Sequence, residues 1–402
     1  MHIPVEIILM ILNYLPVQEQ FLNYHALFGR KFAKREIQKK GVTLYLGNPI
    51  EKEITKILVH HRIKIINKNA FLHYKINTAI LQKGIETIRS GAFEYCCELK
   101  YINFPSTLTE IQYWAFSNTK LDTIDLSLTK LKKIDFSCFC RNFSKKIILP
   151  KKVEVIEHGG FCENDIEEIS FPDTIIYLGC NCFMNCLNLT KIDLLTTKIK
   201  VFNEECFKNC RKLEEIIFPE NLVKIFDKCF MNTAVTHIKL PDSVTFLGKY
   251  AFGFCNLLSS VEFGKSLTVI DMGCFYNCSN LNSVNSEICI NLHSIGEKAF
   301  MNNKSLDKFD FPQSVKTIGT GAFRYTSALK QAILPRNLDT IGNTAFGWSG
   351  ITKVSIPRTI KELPYGVFRN TQLTDVFIPN EIQIISEDAF RDCLKLNLKL
   401  YK

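Results

Sequence analysis

The 402-residue chain has no run of eighteen uninterrupted apolar residues, so no segment is long enough to cross a membrane as a helix. Its start, Met1 to Pro16, lacks a basic leader and a small-residue cleavage site and carries Glu6 inside the apolar stretch, which argues against a secretory signal. Leu400-Tyr401-Lys402 is no prenylation box. Phosphate-binding glycine loops, a nucleophile elbow, a His-Glu-x-x-His helix and a calcium loop are missing as well. The close carboxylate pairs, such as Glu167/Glu168 and Glu204/Glu205, fall on variable positions and read as solvated faces. The expectation is a cytoplasmic protein that is not an enzyme, with no catalytic, cofactor or metal residue to name.

What the chain has instead is periodicity. A phenylalanine, usually in an Ala-Phe pair, recurs at Phe71, Phe93, Phe116, Phe139, Phe161, Phe183, Phe207, Phe230, Phe252, Phe275, Phe300, Phe323, Phe346, Phe368 and Phe390. The intervals run from 22 to 25 residues, a fixed period that signals a stacked repeat array and overrides the two or three domains that length alone suggests. Eleven residues before the phenylalanine stands a proline in nine repeats, among them Pro105, Pro172, Pro241 and Pro379. An apolar-any-apolar triplet precedes it, as in Ile216 and Phe218, and reads as a short strand that proline ends because it has no N–H for the ladder. Aliphatic residues eight and five before the phenylalanine (Val244 and Leu247, Val315 and Ile318) should point inward. The intervals of 24 before Phe207 and 25 before Phe300 fall beside missing prolines, at Thr196 and Cys289, and predict small bulged loops.

The summed pattern, Leu-x-x-Ile-x-Phe/Leu-Pro-x-x-Val-x-x-Ile-x-x-x-Ala-Phe-x-x-Cys, closely resembles the BspA-like class of leucine-rich repeats over about 340 residues. The resemblance implies a β-rich (mixed α/β) solenoid: a right-handed, curved stack of about 15 turns of about 23 residues, one strand per turn on the concave side and an extended or tight-turn return. It also implies protein binding, and it leaves open an association with the plasma membrane or cell surface, because the class includes surface adhesion proteins. Physically, each turn exposes an apolar edge it cannot bury alone, so neighbours stack and stability becomes a sum of nearest-neighbour terms.

The formal charge of +10 raises the question of an acidic partner such as nucleic acid. Placement answers against it. The third and fifth residues of the strand segment, which should face the concave side and bind the partner, include Lys191, Glu215, Ile217, His237, Lys239, Glu262, Lys308, Asp310, Lys353, Asp375 and Phe377. Charges of both signs alternate there with isolated apolar residues such as Ile148 and Ile333, whereas a phosphate backbone needs an unbroken positive groove. The pattern suits a protein partner, with Ile217 between Glu215 and Lys239, or Phe377, as the anchor.

Of sixteen cysteines, eleven keep step with the phenylalanine, either three after it (Cys96, Cys186, Cys210, Cys255, Cys278, Cys393) or one before it (Cys138, Cys182, Cys206, Cys229, Cys274). A compact buried hydrophobe explains both columns. Metal binding by Cys182/Cys186 and its equivalents is the sharper alternative, but no histidine tracks the pairs. Such a load of free thiols points to a reducing compartment. His60, His61 and His73 lie close in sequence and read as incidental.

Residues 1–41 differ from the repeats that fill 42–402. Ile3, Ile7, Ile11, Leu12 and Leu15 form one helical stripe, and a second helical stretch runs from Val17 to Lys39. The expectation is a helical cap over the first turn. The words Ile3-Pro4-Val5-Glu6-Ile7 and Ile11-Leu12-Asn13-Tyr14-Leu15-Pro16 also resemble the opening of an F-box, which implies a substrate-recognition subunit of a cullin ubiquitin ligase. Pro4, Glu6, Ile7, Ile11 and Leu15 would then dock on the ligase adaptor, although the later Val-Ser/Cys-x-x-Trp segment is missing. At the other end Leu396, Leu398 and Leu400 alternate with Asn397 and Lys399, an edge strand through which self-association with a second copy is conceivable.

Overall fold

A computed structural model of the protein describes residues 43–45 and 50–396. The expected N-terminal helices, the adaptor-docking residues Pro4, Glu6, Ile7, Ile11 and Leu15, and the alternation Leu398/Leu400 lie outside the described residues. The chain forms two units, up to Pro150 and from Lys151 onward.

Among the described residues the coils of both units are built from three legs, although the first leg at residues 308–310 forms no strand. The first leg is the strand foreseen from the apolar-any-apolar triplet. In the first unit Thr43–Tyr45, Lys56–Val59, Thr78–Leu81 and Tyr101–Ile102 pair in that order, and Thr123–Asp125 pairs with Lys146–Ile148. In the second, Glu168–Ser170, Lys191–Asp193 and Glu215–Ile217 make one sheet; His237–Lys239, Ser260–Glu262 and Ser283–Val284 a second; Gln331–Ala332, Lys353–Ser355 and Asp375–Phe377 a third. All pairs are parallel and in register, so the central aliphatics (Ile169, Ile192, Ile216) stack inward while their neighbours face out.

The second leg is also a strand. Two-residue pieces centred on the aliphatic five before the phenylalanine pair in parallel: Ile65–Ile66, Thr87–Ile88 and Glu110–Ile111 in the first unit, and seven pieces from Val201–Phe202 to Thr340–Ile341 in the second. The return was expected to be merely extended or a tight turn, with one strand per coil. Two strands per coil form because the residues on both sides of the proline corner already run extended, and coil-to-coil stacking offers each leg a partner.

The third leg is the turn that carries the phenylalanine. Here the residues two before and two after the ring take φ near +60°, among them Asn181, Asn185, Lys228, Asn232, Tyr250 and Phe254, with glycine at Gly159, Gly273 and Gly366. Between them the chain stays right-handed, so alternate N–H groups point at the next coil: those of Lys228, Phe230 and Asn232 donate to the carbonyls of Lys249, Ala251 and Gly253 at 2.8–2.9 Å. This alternation is incompatible with a helix. Among the described residues there is no α-helix, only the 3-10 turn Ser286–Ile288, so the mixed α/β reading is corrected to an all-strand-and-turn coil.

The phenylalanines fill the centre. Phe71, Phe93, Phe116 and Phe139 stack at 4.9–5.3 Å in the first unit. Phe161 to Phe390 stack ring on ring at 5.2–5.7 Å in the second. All but Phe390 are fully buried.

The position three after the ring is not simply a compact hydrophobe. Its side chain donates to a phenylalanine carbonyl: Cys210 to Phe183 (3.2 Å), Cys255 to Phe230 (3.2 Å), Thr326 to Phe323 (2.7 Å), Asn142 to Phe116 (2.6 Å). The carbonyl sits in the dry interior, where an acceptor short of donors is costly, so the column is filled mostly by Cys, Thr and Asn. Ser349 departs, its buried Oγ making no hydrogen bond, and Asn303 instead accepts from Cys278 N–H at 2.9 Å. Burial pushes the thiol of Cys186 up to about 12 and that of Cys255 to about 11, so both stay neutral. Cys140 and Cys162 depart from the free-thiol expectation, since both are disulfide-bonded. Asn142 and Asn303, which lie in glycosylation sequons, are fully buried.

Candidate functional site

The outward positions of the first leg fall on the surface as expected, but many of their charges satisfy one another. Lys191 pairs with Glu215 across adjacent coils at 2.9 Å, Lys239 with Glu262 at 3.8 Å, and Lys308 with Asp310 at 2.6 Å, a hydrogen bond that raises the Lys308 pKa. His237 Nδ1 lies 2.7 Å from Ser260 Oγ. Lys353 and Asp375 stand opposite each other in the register, with Phe377 exposed beside them. The eleven residues therefore gather as one cluster from Lys191 to Glu262, an isolated Lys308–Asp310 pair, and a third group at Lys353, Asp375 and Phe377.

The first cluster contains a groove. The first-leg ladder is interrupted between Glu215–Ile217 and His237–Lys239, which belong to different sheets. At that break a cavity of about 650 Å³ opens, floored by Ile217, Phe218 and Leu240. Its wall comes from the coil that lacks the corner proline. Without proline at Thr196, residues 194–197 close a tight turn, with Thr197 N–H and Oγ donating to Leu194 O at 3.0 and 2.7 Å, and Leu195 is left 49% exposed over the groove. Asp193 holds the turn by accepting from Leu195 N–H at 3.0 Å. Lys239, Glu220 and Asp242 line the rim; Lys265, donating to Asp242 through its backbone N–H and then its side chain, holds that carboxyl below its ordinary value. The anchor residue Ile217 was legible from the strand pattern; Leu195 was not, although the missing proline marked its loop.

The same loss of proline exposes Leu128 in the first unit and Ile290 after the 3-10 turn in the second. Both bulges foreseen from the longer intervals are present. No group of three or more His, Cys, Asp or Glu among the described residues is placed to hold a metal ion. Nor is any described helix long and apolar enough to cross a membrane.

This coil is shared with known proteins. A leucine-rich repeat protein of Bacteroides ovatus is 27% identical, with a TM-score of 0.61 over 80% of this chain and 88% of its own. One from Eubacterium ventriosum is 20% identical, with a TM-score of 0.50 over 78% and 92%, a likeness of fold. Among curated protein sequences none matches. The BspA type Leucine rich repeat region matches residues 64–190, 176–291 and 284–397, more than half of the chain and the same residues that carry the phenylalanine period; the protein belongs to the BspA-type leucine-rich repeat family.

Proposed function

We propose that the protein is a non-catalytic repeat scaffold that binds another protein across the first leg of its second unit, centred on the groove at Ile217. The observation that carries this reading is the break in the ladder: a groove over half-buried Ile217 and the buried Phe218 and Leu240, walled by the exposed Leu195 and rimmed by charge. Interface anchors are typically such apolar centres within a polar rim. The paired lysines and carboxylates around it set orientation rather than affinity, because exposed ion pairs contribute little. Ile217→Asp places a charge on the floor without touching the phenylalanine column. Affinity purification with the intact chain and with this variant, compared by mass spectrometry, tests the reading: a partner that both retain equally removes the groove from consideration.

A second reading adds an adaptor-binding head. It rests on the words Ile3-Pro4-Val5-Glu6-Ile7 and Ile11-Leu12-Asn13-Tyr14-Leu15-Pro16, and it makes the repeats the substrate selector of a cullin ligase. Recovery of the adaptor with the full chain, and its loss on Glu6→Lys and Ile7→Asp, supports it; recovery unaffected by those changes sinks it. Surface adhesion would use the same scaffold outside the cell, and surface labelling of intact cells decides the location. Self-association through the C-terminal edge predicts a mass that grows with concentration in sedimentation.

A further inference from the structure

The turn leg of the second unit carries a surface that the strand pattern does not single out. It begins at Tyr250, two residues before Phe252. One coil on, Gly273 has φ +61°, and a Cβ there would lie 2.4 Å from Cε1 of Tyr250, so this glycine lets the tyrosine ring lie against the backbone. Tyr276 meets Tyr250 and Phe254 edge to face, at 5.9 and 5.2 Å between centroids. With Met231 and Met301 these rings line an open pocket of about 370 Å³. The two lysines at its margin are already paired, Lys228 with Glu205 at 3.1 Å, a carboxylate it shares with Lys208, and Lys298 with Glu297 at 2.6 Å. The pocket is therefore apolar and adaptable, and suits an apolar side chain.

Farther along the same leg lies a cation without a counter-charge. The Arg324 guanidinium stands 4.8 Å from the Tyr325 centroid and 4.4 Å from that of Trp348, and it donates to Tyr325 Oη at 3.0 Å. Its Nε is buried with no acceptor, and among the described residues no carboxylate pairs with it. Arg369, placed 5.3 Å from Trp348, shows the satisfied alternative, pairing with Asp392 and reaching Tyr365 Oη, both at 3.3 Å. Stacked on two rings, Arg324 is held in place with donors to spare. The complementary group is a carboxylate, which accepts from guanidinium in a planar fork.

The pocket is centred between the coils of Phe252 and Phe275, and Arg324 with Trp348 between those of Phe323 and Phe346. Three coils at about 4.8 Å separate them by roughly 14 Å, the length of about four residues of extended chain. We infer that the turn leg binds an extended segment of a protein partner that seats an apolar side chain in the Tyr276 pocket and an Asp or Glu carboxylate on Arg324, about four residues apart. This site is separate from the Ile217 groove and stands or falls without it.

The test uses the full chain carrying Trp114→Phe, so that Trp348 is the sole tryptophan and its emission reports the site. The probe is a synthetic nonapeptide of glycine and serine with phenylalanine third and glutamate seventh. A saturable change in emission is expected, weakened at least about tenfold when glutamine replaces the glutamate, because a charge-assisted pair is lost. Arg324→Gln should abolish the difference between the two peptides, and Tyr276→Ser should weaken both. Equal affinity for the glutamate and glutamine peptides, or no saturable change with either, overturns the inference, and the peptide comparison requires no variant other than Trp114→Phe.

Discussion

The first leg and the turn leg of the second unit are built from the same repeat and present opposite surfaces. On the first leg, charged residues are spread among the outward positions, and Lys191, Glu215, Lys239 and Glu262 find partners on the adjacent strand. On the turn leg, the positions flanking the buried ring carry Tyr250, Phe254, Tyr276, Arg324, Tyr325 and Trp348, and the Arg324 guanidinium has no carboxylate partner among the described residues. The difference teaches that a strand's in-and-out alternation and its cross-strand register let charges cancel locally, whereas alternating φ signs bring side chains from successive coils into contact as a continuous stripe. Charged pairs and aromatic surface are therefore divided differently between the two legs.

The largest effect that could break this division lies inside the turn leg. Phe230 stacks between Phe207 and Phe252 at 5.4 Å on each side and is fully buried. Phe230→Ala should cost about 3–5 kcal/mol in urea or thermal unfolding. Removing the Lys191–Glu215 pair on the first leg should cost no more than about 1 kcal/mol, since both side chains are about half exposed. Equal losses would erase the distinction between the legs.

Next comes the donor column. Thr326 is buried and donates to Phe323 O at 2.7 Å. Thr326→Val keeps the volume and removes the donor, so it should destabilise by about 1–3 kcal/mol, while Thr326→Ser should cost less. If valine were tolerated, the column would be a packing column after all. The thiols on this leg sharpen the point. With Cys186 pushed up to about 12 and Cys255 to about 11 by burial, the folded state holds their protons while unfolded thiols release them near the ordinary 9.0. Their contribution is complete below pH 9 and is lost as pH rises toward 11–12. Melting temperature should fall through that window, less so in Cys186→Thr. At neutral pH a maleimide should label the exposed Cys97 and spare Cys186 and Cys255.

The period, the inward ring and the first-leg strand were legible because each leaves a repeated apolar letter: Phe252, Ile238, Val244. The second strand was harder, since a two-residue piece such as Phe246–Leu247 shows no alternation to count. The left-handed positions did leave a signal, asparagine or glycine two residues either side of the ring, as at Asn185, Asn209, Asn232 and Gly273, the residues that accept positive φ most readily. Of the candidate site, Ile217 and its charged neighbours followed from alternation. The break in the ladder beside it did not, because pairing between coils is a tertiary property that no single repeat encodes. Arg324 was invisible for the same reason: its rings, Tyr325 and Trp348, come from two coils, and only stacking brings both to one guanidinium.

The smallest effect separates the legs by pH. Glu205, on the turn leg, is partly buried, which alone would raise its pKa, but hydrogen bonds from Lys208 at 2.9 Å and Lys228 at 3.1 Å outweigh burial and leave the carboxyl below its ordinary 4.5. A depressed carboxylate stabilises the folded state above the unfolded pKa, and the contribution is lost as pH falls through the folded one. Wild type should therefore lose stability below pH 4.5 slightly more steeply than Glu205→Gln, with the two curves converging in stronger acid. The Lys191–Glu215 pair on the first leg, about half exposed, should lose its small contribution to stability in 1 M salt at neutral pH, because solvent-exposed pairs are screened while partly buried ones are screened less. A Glu205 contrast that salt abolishes as readily as it removes the Lys191–Glu215 contribution would place the Glu205 pairs in open solvent too. It would also free Lys228, at the margin of the neighbouring aromatic pocket, from its hold on Glu205.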